Sequence, residues 1–301
     1  MGNGSTQLAQ AALYALSSDS PQPLSVVCAV PYYSGYPDLA NLMRWYKWEG
    51  DANTFDKDTP FVEIVTSPNN PDGFFRVPVV KPRPDGHVVY DMAYYWPQYT
   101  AITHQADHDI MLFTFSKATG HGGSRIGWAV VKDKETALKM AKFIDVTTLG
   151  VSREAQVRAS KILGAISDVY EGPEALPESD RFFEYFRRVL NERMDKLRES
   201  LRVNEFFSLP EYPIKHCLFT KGLTRISPGF AFLKCEDGKV KDACGLLRSH
   251  NIIGRGGPMF GMNDSFVRVS LLSREDTFNC LLERLSAIGA GGDVAVQINP
   301  S

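Results

Sequence analysis

Lys117 and Arg125 are the two side chains in this 301-residue sequence whose types and spacing most directly invite chemistry. They stand in Asp109-Ile-Met-Leu-Phe-Thr-Phe-Ser-Lys-Ala-Thr-Gly-His-Gly-Gly-Ser-Arg-Ile-Gly-Trp-Ala-Val-Val131, which reads as apolar strand, polar loop, apolar strand. A lysine leaving the end of a buried strand can be desolvated, which lowers its pKa toward the neutral, nucleophilic amine that a Schiff-base lysine needs. Arginine offers a planar fork of donors matched to phosphate, and Gly120, Gly122, Gly123 and Ser124 let the backbone approach a ligand. The pair suits a lysine holding a phosphorylated aldehyde. A surface loop with two ordinary cations suits the same residues.

Other polar groups fall at the ends of apolar runs. Gly4, Ser5 and Thr6 precede the helix-forming run 7–16, where free N–H groups and the helix dipole favour an anion and where a plain Ser/Thr cap is equally served. Tyr32, Tyr33 and Tyr36 follow the apolar segment 24–30, at the place where open α/β sheets bind ligands; a ring there either stacks on a flat heterocycle or packs under a loop. Asn70 lies in Ser67-Pro-Asn-Asn-Pro-Asp-Gly73 after the strand 61–66, as a turn residue or with its amide aimed at a ligand oxygen. Asp91 closes the run 87–90, and a carboxylate at a buried strand end calls for a cationic partner. Arg268, flanked by Val267 and Val269, must meet an anion supplied by a protein carboxylate or by a substrate.

The elements that must position these groups are strands 24–30, 61–66, 87–90, 109–115 and 126–131, then helices 134–144 and 154–170. The second helix has Ala155, Ala159, Ile162, Leu163 and Ile166 on one side. A break at 171–178 precedes a long charged amphipathic helix, opened by Ser179 or Asp180 and running to about Leu201. Strand 229–234, helix 241–250, a loop at 254–258 and strand 265–272 follow. Ser273 with Asp276 reads as the capping box of a last helix. The order predicts an α/β fold with a mostly parallel sheet flanked by helices in residues 1–180, and a connecting helix with a smaller C-terminal α+β domain in 181–301. A phosphate loop normally follows a strand, so the first domain is expected to be N-terminally incomplete.

Composition narrows the classes. A net charge of -2 gives no reason to expect nucleic acid or an anionic membrane as partner. Cys28, Cys217, Cys235, Cys244 and Cys280 are scattered without a CxxC pair, which speaks against zinc and for reduced thiols in the cytoplasm. No signal region stands at the N-terminus, and no apolar run reaches the roughly 18 residues of a membrane helix.

Taken together the strand ends describe a pyridoxal 5'-phosphate site: Gly4, Ser5, Thr6 and Arg125 for the phosphate, Tyr33 for the ring face, Asn70 and Tyr94 for the ring oxygen, Asp91 for the pyridine nitrogen and Lys117 for the aldehyde. The sequence resembles fold-type I pyridoxal-phosphate enzymes, and more closely the plant tryptophan aminotransferase-related and alliinase family. The residues that carry the match are Gly-Ser-Thr-Gln at 4–7, Pro-Tyr-Tyr-Ser-Gly-Tyr-Pro at 31–37, the turn at 67–73, Tyr-Asp-Met-Ala-Tyr-Tyr-Trp-Pro at 90–97, Phe-Ser-Lys-Ala-Thr-Gly-His at 115–121, Gly-Ser-Arg-Ile-Gly-Trp at 123–128 and Val-Arg-Val-Ser-Leu-Leu-Ser-Arg-Glu at 267–275.

The resemblance implies Lys117 as both covalent anchor and acid/base, Thr114 and Ser116 beside the phosphate, and Arg268 as the clamp on an amino acid α-carboxylate. It implies a homodimer with active sites at the subunit interface, and a chain shortened before its glycine loop. The function expected is transamination of an aromatic amino acid, L-tryptophan to indole-3-pyruvate with a 2-oxo acid acceptor, as in auxin synthesis. The alternatives are an alliinase-like C–S lyase and a non-catalytic shortened isoform.

Overall fold

Short, continuously apolar segments bounded by turn residues become the strands of one mixed sheet. The structure, a computed structural model, describes residues 1–17, 23–172, 177, 180–204 and 206–288. In chain order the first part holds α1 (Ser5–Leu16), β1 (Leu24–Cys28), α2 (Tyr36–Leu42), β2 (Tyr46–Asp51), β3 (Phe61–Thr66), β4 (Gly86–Asp91), β5 (Ile110–Thr114), α3 (Phe115–Ala118) and β6 (Gly127–Val131). After it come α4 (Lys134–Thr148), α5 (Arg153–Glu171) and α6 (Phe182–Asn204). The C-terminal part holds β7 (Phe207–Ser208), β8 (Ile214–Cys217), β9 (Gly222–Arg225), β10 (Phe230–Cys235), α7 (Ala243–Ser249), β11 (Arg255–Gly256), β12 (Phe266–Ser270) and α8 (Glu275–Ser286).

The first sheet has the order β2-β1-β3-β4-β5-β6. Its pairings are parallel except the last, where β5 and β6 are antiparallel with Thr114 opposite Gly127. The carboxyl ends of β1, β3, β4 and β5 therefore share one edge of the sheet with the amino end of β6. β1 and β3 are buried along their whole length, as segments covered on both faces require. α1 lies over the sheet with Ala11, Ala12 and Leu13 fully buried, in one core with Val26, Ile64, Leu112 and Met140. A second core joins Leu197, Leu233, Val267 and Phe278 around the antiparallel sheet β11-β12-β10-β7. A small cluster of Tyr94, Tyr99, Leu190 and Phe230 lies between residues of the two.

Several boundaries differ from expectation, each for a local reason. The strand expected over 109–115 runs from Ile110 to Thr114, whose hydroxyl accepts the Ser116 N–H at 3.3 Å and caps α3, a short helix where a polar loop was expected. α1 begins at Ser5, capped by Gly4 at φ 83° with no side-chain bond, so neither Ser5 nor Thr6 is the cap. The capping box at Ser273 does not form. Arg274 is the N-cap of α8, and Asp276 turns its carboxylate to the Thr277 N–H at 2.7 Å. The loop at 254–258 contains β11, whose Arg255 pairs with Arg268. On α5 only Ala159 of the expected stripe is buried and Leu163 is exposed. Of the expected break, residues 173–176 and 178 lie outside the described residues, as does Ser179; α6 opens at Phe182. Among the described residues no helix is long and apolar enough to cross a membrane.

Candidate active site

A cavity of about 570 Å³ opens at the shared strand edge. Ser5, Thr6, Tyr33, Asn70, Asp91, Tyr94, Thr114, Ser116, Lys117, Arg125 and Arg268 all line it; Gly4 alone of the expected site residues does not, and sits behind Arg125. Six separate segments are brought together here, spread over more than 260 residues of chain.

Asp91 is the last residue of β4, in register with Thr66. The Ala93 N–H donates to one carboxylate oxygen at 3.0 Å and the Tyr36 hydroxyl to the other at 3.0 Å, while Tyr36 and Thr66 hydroxyls lie 2.6 Å apart. Among the described residues no cation lies at ion-pair distance from Asp91; these two hydrogen bonds meet its oxygens, with Lys117 as a more distant cation. Burial pushes the Asp91 carboxyl above its ordinary range.

Lys117 is the third residue of the four-residue α3, held by Gln98, whose amide donates to the carbonyls of Lys117 at 3.1 Å and Ala118 at 3.0 Å. Its ammonium lies 5.6 Å from the centroid of the Tyr94 ring. Burial lowers its pKa first, and the guanidinium groups of Arg268 and Arg125 lower it further, against an opposing pull from Asp91. The shift is toward the neutral amine, which is the nucleophilic form.

Arg125, in the left-handed region at φ 49°, donates to the Gly122 carbonyl at 3.1 Å and the Asn3 carbonyl at 3.3 Å. These two bonds lay its guanidinium against Gly4, where an added Cβ would stand 2.7 Å from Nη2. The first-turn N–H groups of α1, the Ser5, Thr6 and Ser116 side chains and an arginine with no carboxylate partner among the described residues make a donor set suited to a phosphate.

Arg268 reaches in from β12. It donates to the Asn70 side-chain oxygen at 2.6 Å and lies over the rings of Phe230, 5.2 Å away, and Phe260, 5.1 Å away. Of the two anions that could meet it, no protein carboxylate pairs with it among the described residues. Tyr33 and Tyr36 contact edge to face at 5.3 Å. Burial raises the Tyr94 hydroxyl well above the usual phenol range.

The family model described as allinase matches residues 1–289. The chain belongs to the allinase family. Within that family it is 48% identical over 301 residues to tryptophan aminotransferase-related protein 2 of Oryza sativa subsp. japonica, covering 96% of this chain and 59% of the relative. It is 45% identical to tryptophan aminotransferase-related protein 2 of Arabidopsis thaliana, with 95% and 65% covered, and 35% identical to alliin lyase of Allium cepa var. aggregatum, with 93% and 64% covered. The chain thus spans about three-fifths to two-thirds of the length of these allinase relatives. Among solved structures, an aspartate aminotransferase from Rhizobium meliloti aligns at TM-score 0.70 and 18% identity over 95% of this chain and 74% of that one. An Escherichia coli protein described with a methionine aminotransferase function aligns at TM-score 0.70 and 16% identity, over 95% and 76%. At these identities the likeness speaks for the fold, which is the fold-type I architecture with its mostly parallel central sheet.

Three contributions escaped the sequence reading. Gln98 acts only through the backbone of α3, Phe230 and Phe260 only as walls for Arg268, and Arg255 enters the cavity only through its register with Arg268. The dense aromatic run at 90–99 was the available signal for Gln98; strand pairing, which no local pattern discloses, was needed for Arg255.

Proposed function

We propose that this chain is a pyridoxal-phosphate-dependent aminotransferase that converts an aromatic amino acid, L-tryptophan before others, to its 2-oxo acid, indole-3-pyruvate, with another 2-oxo acid as acceptor, as in auxin synthesis. The observation that carries the reading is Lys117: a half-buried amine with lowered proton affinity, in one cavity with Asp91, Arg125 and Arg268. The donor set at Gly4, Ser5, Thr6, Thr114, Ser116 and Arg125 fits the phosphate, Asp91 the ring nitrogen, Tyr33 the ring face, and Asn70 with Tyr94 the ring oxygen. When bound, the cofactor supplies an aldehyde and an electron-withdrawing protonated ring.

Each residue then has a physical task. Lys117 would be the amine that holds the aldehyde; once the substrate amine has displaced it, its free Nζ would take the proton from the substrate Cα and give it to the carbon that had carried the aldehyde oxygen. Asp91, itself buried at the end of β4, would keep the ring nitrogen protonated. Arg268 binds the α-carboxylate and so fixes Cα above the ring, with Asn70 holding the guanidinium in place. The names of the relatives at 48% and 45% identity support transamination over the second reading, a C–S lyase, which the alliin lyase at 35% keeps in view. A cytoplasmic homodimer belongs to the same proposal, as does a division into residues 1–180 and 181–301, which the two separate cores support.

The test uses the full chain with pyridoxal phosphate, reading the visible absorbance of the lysine-bound cofactor, transfer from L-tryptophan to a 2-oxo acid, and pyruvate release from an alkyl cysteine sulfoxide. Lys117→Ala is expected to abolish the absorbance and transfer; absorbance that survives it would overturn the assignment. Arg268→Lys is expected to raise the KM for tryptophan by roughly tenfold or more, far beyond its effect on cofactor affinity. Equal losses in both would remove Arg268 from the carboxylate. Lyase activity without transfer would favour the second reading, and absorbance with neither activity a non-catalytic isoform.

A further inference from the structure

Arg255 on β11 stands directly opposite Arg268 on β12. Opposed residues of an antiparallel pair point to the same face, with Cβ atoms about 4.5–5.5 Å apart, and both side chains line the cavity that holds Lys117. Like charges so placed repel one another; burial is the first cause that disfavours the charge on Arg268, and Arg255 adds to it. Among the described residues no carboxylate offsets this repulsion: Arg268 bonds the neutral Asn70 amide, and Arg255 carries no ion pair. Arg268 is half-buried between Phe230 and Phe260, whereas Arg255 is exposed, so the two guanidinium groups mark a deep and a shallow anion position in one cavity.

We propose that Arg255 receives the second carboxylate of a dicarboxylic 2-oxo acid whose first carboxylate lies on Arg268. The inference rests on the reaction proposed above and names its acceptor class: a diacid such as 2-oxoglutarate in preference to a monoacid such as pyruvate. An aromatic amino acid has one carboxylate and needs Arg268 alone. For that substrate the exposed Arg255, on its long stem, swings toward solvent and leaves room for the ring. One cavity thus takes a bulky apolar side chain and a charged one in alternate half-reactions.

Glutarate and butyrate, which have no oxo group to react, test the position without turnover. Isothermal titration of the full chain loaded with pyridoxal phosphate is expected to show glutarate binding about tenfold tighter than butyrate at low salt, with the difference shrinking as salt is added. Arg255→Gln is expected to remove most of that preference, and Arg255→Lys, which keeps the charge without the fork, to retain part of it. In steady-state kinetics Arg255→Gln should cost 2-oxoglutarate about tenfold more kcat/KM than it costs pyruvate. Equal binding of the two acids by the unaltered chain overturns the proposal. So does an Arg255→Gln chain that weakens both alike, since the two arginines would then share a single carboxylate. Failure of the aminotransferase reading shows itself separately, as a glutarate preference dependent on Arg255 with no transfer to either oxo acid.

Discussion

Asp91 is ionisable, buried and without a cation at ion-pair distance among the described residues, so its charge rests on the Ala93 N–H and the Tyr36 hydroxyl. Burial outweighs those bonds and holds the carboxyl above its ordinary range. A raised folded-state value favours the protonated form, so this group's contribution to stability is full below the unfolded carboxylate range and is lost as pH rises through the raised value. At neutral pH an ionised Asp91 is therefore a cost to the empty protein, one that a protonated ring nitrogen would relieve. Asp91→Asn tests this. The Tyr36 hydroxyl can donate to Thr66 instead and accept from the new amide, so the polar network survives. Without cofactor the variant should melt above the parent chain at pH 7, and the difference should close as pH falls toward about 4. Added pyridoxal phosphate should raise the Tm of the parent more than that of the variant. A variant that melts lower at pH 7, or gains as much from the cofactor, would remove Asp91 from the ring nitrogen.

The start of α1 and the start of β6 are pressed together: Gly2 and Gly127 exchange backbone hydrogen bonds of 3.0 and 2.9 Å, and a Cβ on Gly127 would stand 2.9 Å from the Gly4 carbonyl carbon. Gly4 at φ 83° and Gly120 at φ 80° both have positive φ, but Gly4 with ψ 171° lies where essentially only glycine is found, so a side chain there costs of order 1–3 kcal/mol. They differ in surroundings, since a Cβ meets Arg125 at Gly4 and open space at Gly120. Gly4→Ala should thus lose more stability than Gly120→Ala, and Gly4→Ala alone should raise the pyridoxal phosphate needed for half-saturation, by roughly tenfold. Equal cofactor affinities, read by absorbance titration, would separate Arg125 from the phosphate. Elements of this kind were legible where composition is one-sided: β3 and β5 are runs of apolar residues with a turn or polar group just beyond, so Asn70 and Lys117 stand out. β2, Tyr-Lys-Trp-Glu-Gly-Asp, was not, because its apolar-polar alternation lasts only four residues before Gly-Asp, which read as a turn. β7 to β9 are too short for any period, and the Ser273 motif misled because the backbone turned one residue later.

Across the whole molecule the site depends on two cores. Lys117, Asp91 and Arg125 hang from the sheet packed around Leu13, whereas Arg268 belongs to the antiparallel sheet packed around Phe278. The link visible at the site is the 2.6 Å bond from Arg268 to Asn70, backed by the edge-to-face contact of Tyr94 and Phe230 at 5.3 Å. Loosening one core should therefore remove one function before the other. Leu13 and Phe278 are both buried, and truncating either to alanine should cost about 3–5 kcal/mol. In a urea titration, Phe278→Ala should lose the spectral change induced by tryptophan at a lower concentration than it loses the cofactor's visible absorbance, because Arg268 moves away while Lys117 stays. Leu13→Ala should lose the absorbance no later than the response to tryptophan, since its damage lies under the cofactor side. Loss of both signals together in both variants would mean that the aromatic cluster around Tyr94 and Phe230 binds the two cores into one cooperative unit, and that substrate binding cannot loosen without the cofactor site opening with it.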